Sequence, residues 1–104
     1  MRGEVVIVPF PFSNLAGSKN RPALILIDLP GPDAVLAAIT STGNDPNAVM
    51  LDINDFQTGK LDHRSFIHPT KLFTCQKNLI GGVAGKITQI KWKEVVSKIV
   101  SLLN

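Results

Sequence analysis

Apolar residues fall in short, almost unbroken runs. Gly3-Glu4-Val5-Val6-Ile7-Val8-Pro9-Phe10 and Arg21-Pro22-Ala23-Leu24-Ile25-Leu26-Ile27 are apolar, and often β-branched, at nearly every position, which predicts two strands covered on both faces. The segment from Pro11 to Asn20 is polar, holds Gly17 and carries Lys19 shortly before Arg21, so it reads as a basic loop hinged on a stiff apolar pair. Pro22 biases Arg21 toward an extended backbone and suits the first position of a strand.

Pro30-Gly31-Pro32-Asp33 is a turn signal. Val35 to Thr42 then predicts a third strand, and Gly43-Asn44-Asp45-Pro46-Asn47 a second turn. A short fourth strand is expected over Ala48 to Ile53, and Asn54 to Lys60 reads as a loop or a single helical turn. Ser65 to Phe73 is strand-like but holds Pro69, which marks an edge or bulged strand. Leu79 to Ile87, with Gly81, Gly82 and Gly85, predicts a turn and a short bent strand. Thr88 is a candidate N-cap for a C-terminal helix whose stripe is Ile90, Val95, Val96, Ile99, Leu102 and Leu103. Lys91, Lys93 and Lys98 lie off that stripe, and Trp92 sits near the first turn.

Three strands apolar on both faces and one long helix imply a mainly β fold, one domain spanning residues 1–104. A sheet curled into a small barrel hides one face while the helix caps part of the other. Apolar surface left over favours a symmetric homodimer. A chain of 104 residues is long enough to bury roughly 60–68% of its unfolded surface.

Composition narrows the class. No apolar run approaches the roughly 18 residues of a membrane helix, and Glu4 and the prolines after it interrupt any signal-peptide core. The single cysteine, Cys75, excludes an internal disulfide and suits a reducing, cytoplasmic setting. Net charge is +3, but residues 1–59 hold three basic and six acidic side chains, and residues 60–104 eight basic and two acidic. The basic second half points to an anionic partner, nucleic acid or acidic polypeptide, or else is a solvated lysine-rich surface.

Few chemistries fit. His63 and His68 have no cysteine or carboxylate cluster at metal-ligand spacing, and no phosphate loop, dinucleotide fingerprint or nucleophile elbow is present; no cofactor is implied. What remains is Arg21 beside Ser18 and Lys19, with hydroxyls at Thr40, Ser41 and Thr42. Sequential strands usually pair, and the 30–33 turn folds the third strand back, so its end approaches the start of the second. A permanent guanidinium beside hydroxyl donors makes a clamp for a phosphate. The plainer alternative is a strand-starting surface arginine with ordinary strand threonines.

Arg2-Gly3-Glu4-Val5-Val6-Ile7-Val8-Pro9-Phe10-Pro11-Phe12 and Gly17-Ser18-Lys19-Asn20-Arg21-Pro22-Ala23-Leu24-Ile25-Leu26 closely resemble the opening of the PemK/MazF toxin family. Ala37 to Ser41 resembles its third strand, and Ser65 to Thr74 its later signature strand. The resemblance implies a compact SH3-like β-barrel, a homodimer, and a metal-independent endoribonuclease cutting single-stranded RNA to 2′,3′-cyclic phosphate and 5′-OH ends. It also implies a partner antitoxin whose acidic C-terminal tail occupies the RNA groove. The family's catalytic arginine falls on Arg21 and its strand-end hydroxyl on Thr40, with Gly17, Ser18 and Lys19 in the substrate-gating loop and Ser41, Thr42 and His68 as further substrate contacts. Many members carry a glutamate after that Gly-Ser; here Lys19 follows, which leaves the general base open, with His63 and His68 as candidates. Phe10, Phe12 and Phe56 either stack bases or fill the core. The alternative function is a non-catalytic barrel that binds RNA or protein and has lost its base.

Overall fold

The two opening runs become neighbouring antiparallel strands in a computed structural model of the chain, which describes residues 1–9 and 20–104. They are β1 (Glu4–Pro9) and β2 (Asn20–Asp28), with Val5 opposite Leu24 and Val8 opposite Arg21. Residues 10–19, with Phe10, Phe12, Gly17, Ser18 and Lys19 of the expected loop, lie outside the described residues. Five more strands follow: β3 (Asp33–Thr40), β4 (Val49–Leu51), β5 (Phe56–Gly59), β6 (Ser65–Gln76) and β7 (Gly82–Ile87). All pair antiparallel in one seven-stranded sheet of order β4-β6-β3-β2-β1-β7-β5. Helix α1 (Gln89–Leu103) ends the chain.

The unbroken apolar runs are explained by two cores, one on each side of the central strands. One cluster takes Val5, Leu24, Leu26, Ala37, Ile39 and Ile67 together with Val49 and Leu51 of β4 and Ile87 of β7. Phe56 of β5 packs against it, so both ends of the strand order contribute and the sheet curls around this side. Val95 of α1 is part of the same cluster, with Trp92 and Ile99 against it; the helix closes the curled face rather than covering the other. The second cluster alternates with the first along each strand: Val6, Val8, Ala23, Ile25, Ala34, Leu36 and Cys75, with Phe73 and Ile80 against it. Register is firmly set in such strands, because a one-residue slip would exchange the two sets.

Three expectations shift. Asn54 to Lys60 is neither loop nor single turn throughout: a 3-10 turn at Ile53–Asp55, capped by Asp52, leads straight into β5. β3 begins two residues earlier than the apolar run, at Asp33, and stops at Thr40. β6 extends to Gln76 because Asp33, Ala34 and Val35 pair with Gln76, Cys75 and Thr74. Pro69 is accommodated as a bulge: Ala37 faces Leu72 and Ile39 faces Ile67, leaving residues 68–71 outside the regular ladder where Pro's missing N–H does no harm.

Candidate functional site

The β2–β3 ladder positions the central pair. Ala23 faces Ala38, Leu24 faces Ala37 and Ile25 faces Leu36; continuing that register by two residues sets Arg21 across from Thr40. Both side chains line one cleft of about 250 Å³, with Pro22, Ile39, Ser41 and, from the segment entering β6, Leu61, Asp62, His63 and Ser65. Ser65 Oγ donates to the His63 carbonyl at 2.9 Å, fixing how that segment arrives. A second cavity of about 260 Å³ shares Leu61, Asp62 and His63 and adds Lys60 and Arg64. The two adjoin through that shared segment, with Arg21 in the first and Lys60 and Arg64 in the second.

Thr40 is held from behind. Its Oγ1 lies 2.6 Å from His68 Nε2 and 2.9 Å from the Thr42 carbonyl oxygen. His68 is only 4% exposed, and its Nδ1 sits 3.5 Å from Asp45 Oδ2, an ion-pair distance. Asp45 is anchored by the Asn47 backbone N–H at 2.8 Å and the Thr70 hydroxyl at 3.2 Å. The Asn47 N–H bond, ahead of His68 and Thr70, holds the Asp45 carboxyl below its ordinary value of 3.8 against a partial loss of hydration.

The sequence-derived site therefore divides. Arg21, Thr40 and Ser41 share the cleft. Thr42 is exposed and supplies a carbonyl to Thr40 rather than a hydroxyl to the cleft wall. His68 is not a cleft-lining residue either; burial behind Thr40 removes it from direct reach of a substrate. Gly17, Ser18 and Lys19 fall outside the described residues. His63, the other base candidate, does line the cleft. Asp45 and Asp62 were not anticipated: both lie in segments whose composition signals only a turn or a loop.

A family profile, that of the PemK-like, MazF-like toxins of type II toxin–antitoxin systems, matches residues 1–103. The chain belongs to that family. Among solved structures it is similar to an endoribonuclease in complex with its cognate antitoxin from a mycobacterial species, at 19% identity and a TM-score of 0.73, over 99% of this chain and 91% of that one. It is similar to the Mycobacterium tuberculosis toxin MazF-mt6 at 17% identity and a TM-score of 0.75, covering 96% of this chain and 95% of the other. The MazE–MazF structure from Deinococcus radiodurans matches at 20% identity and a TM-score of 0.73, over 98% of this chain and 93% of that one. Such likeness supports the mainly β, SH3-like barrel with its C-terminal helix. No curated protein matches the chain in sequence.

Proposed function

We propose that this toxin is an endoribonuclease acting on single-stranded RNA at the Arg21–Thr40 cleft. The observation that carries the reading is that neighbouring strands bring Arg21, a permanent cation, and Thr40, a hydroxyl residue, to the wall of one cavity, and a phosphodiester is stabilised by such donors as negative charge develops on it. In the reaction, the ribose 2′-OH attacks the adjacent phosphorus. A 2′,3′-cyclic phosphate remains on one fragment and a 5′-OH on the other. Arg21 neutralises the non-bridging oxygens, and Thr40 donates a hydrogen bond to the same centre. Lys60 and Arg64, in the adjoining cavity, extend the path along the RNA backbone.

The toxin's partner is an antitoxin presenting an acidic C-terminal tail, which competes with RNA for this same cleft. The protein acts as a homodimer. Ile27, Leu72, Val96 and Val100 are exposed and line an apolar groove between α1 and the sheet, the surface such a dimer would cover.

Purified protein incubated with a long RNA in EDTA tests the central reading. Discrete cuts with 5′-OH ends are expected, falling at least ~100-fold in Arg21→Ala, in the range found when one charge-stabilising donor is removed. A gel shift without cutting would instead identify a binding barrel.

A further inference from the structure

We propose that the buried His68, backed by Asp45, delivers the proton that the departing 5′ oxygen takes, passing it through the Thr40 hydroxyl; this rests on the cleavage reading above. The groups stand in line. Asp45 Oδ2 is 3.5 Å from His68 Nδ1, His68 Nε2 is 2.6 Å from Thr40 Oγ1, and Thr40 is in the wall of the Arg21 cleft. A threonine hydroxyl has one proton, and Thr40 Oγ1 gives it to the Thr42 carbonyl oxygen at 2.9 Å. With that bond made, the relay takes the short contact with the ring to run the other way, Nε2–H donating to Oγ1. Hydrogen bonds already point outward from ring to hydroxyl to acceptor. Replacing the Thr42 carbonyl by the leaving oxygen needs only a rotation of the hydroxyl.

Asp45 gives the arrangement its direction. Its carboxylate oxygen lies 3.5 Å from Nδ1, on the far side of the ring from Thr40, so an oxygen faces each ring nitrogen. Asn47 N–H and the Thr70 hydroxyl fix the carboxylate in place. Packing alone does not ask for this set, since a buried imidazole and its carboxylate must both give up water. Arg21 is a poor alternative acid, because a guanidinium holds its protons too firmly.

The step balances. The 2′ oxygen forms its bond to phosphorus and its proton passes to water. The bond from phosphorus to the 5′ oxygen breaks, and that oxygen keeps the electron pair. It takes the Thr40 proton as Thr40 Oγ1 takes the proton of Nε2; the ring, left neutral, regains a proton from water. Asp45 remains a carboxylate throughout. Of these three residues only Thr40 touches the RNA, so His68 and Asp45 are positioning residues that act through it.

Once a cut site is mapped, a short RNA carrying it is made in two forms, one natural and one with sulfur in place of the bridging 5′ oxygen. A thiolate departs without a proton. His68→Gln is expected to slow cutting of the natural RNA ~100- to 10,000-fold while cutting the sulfur form within about threefold of the unaltered protein. Asp45→Asn keeps the oxygen that Asn47 N–H binds and is expected to show the same preference to a smaller degree; it decides the matter alone should His68→Gln lose its circular-dichroism signal. Equal slowing on both substrates, or no slowing on either, overturns the relay and leaves the nuclease reading intact. An unaltered protein that cuts neither RNA overturns both.

Discussion

Gly59 sits at φ +71° where β5 meets β7, and a Cβ there would run into the Ala84 carbonyl oxygen and the Gly85 backbone. Neither obstacle is the movable end of a side chain, so Gly59→Ala is expected to destabilise the fold by about 1–3 kcal/mol, read as a lower urea midpoint. Gly43 differs: a Cβ there meets only the tip of the Phe66 ring, which can turn aside. Ionisable residues set the pH limits. Asp28, through Lys77 Nζ at 2.7 Å, and Asp45, through Asn47, are both held below the ordinary 3.8. Carboxyls lowered on folding stabilise the fold above their unfolded value, and that contribution drains away as pH falls through the lower folded one. Burial raises the Cys75 thiol above 9.0, so its contribution is complete below that value and is lost as pH climbs past it. Circular dichroism across pH is expected to show a plateau through neutrality, with losses below about pH 4 and above about pH 9. Arg21 and Thr40 were legible in the sequence because they lie on consecutive strands joined by one turn. The His68–Asp45 contact was not, because it depends on the 41–48 loop folding back over β6, which no local pattern encodes.

Among the elements, α1 shows what periodicity resolves and what it does not. The cap is as expected: Thr88 Oγ1 accepts from the Lys91 N–H at 3.2 Å. Thr88→Ala is expected to lower stability by about 1 kcal/mol in a denaturant titration. The buried face, however, is Lys91 and Val95, while Ile90 is 82% and Leu103 80% exposed. Lys91 is inside because its ammonium reaches Glu94 at 2.8 Å and Asp55 at 3.6 Å while its methylenes cover apolar surface. The hydropathy stripe is right at Val95 and Ile99, which meet the core, but it assigns lysine outward and so misses Lys91, and it places Ile90, Leu102 and Leu103 inward where they are exposed. β5 was missed for a related reason: Phe-Gln-Thr-Gly has almost no apolar pattern, and what makes it a strand is the close backbone approach that Gly59 and Gly85 permit. Pro69 in β6, by contrast, announced its bulge in advance.

For the molecule as a whole, the basic second half divides between structure and surface. Lys77 ties the β2–β3 turn through Asp28 and the Leu29 carbonyl, and Lys91 fastens the helix to the 3-10 turn. Among the described residues Lys60, Lys71, Lys86, Lys93 and Lys98 form no ion pair and are left for the anionic partner proposed above. RNA affinity is therefore expected to fall steeply as salt rises, with a slope near −0.7 for each phosphate neutralised, measurable by fluorescence anisotropy. The apolar groove gives a further test of the proposed homodimer: light scattering is expected to give twice the chain mass for the unaltered protein and a monomer for Ile27→Asp, since an unpaired buried carboxylate is costly at an interface.

The cleft draws on residues 21–22, 39–41 and 61–65, yet the core beneath them is completed by Ile87 and by Val95 of the final helix. A chain emerging from the ribosome thus carries its arginine and threonine before the core beneath them is complete. The proposed cleavage site is complete only once that helix has docked, which leaves an interval in which an inhibitor made beforehand can act.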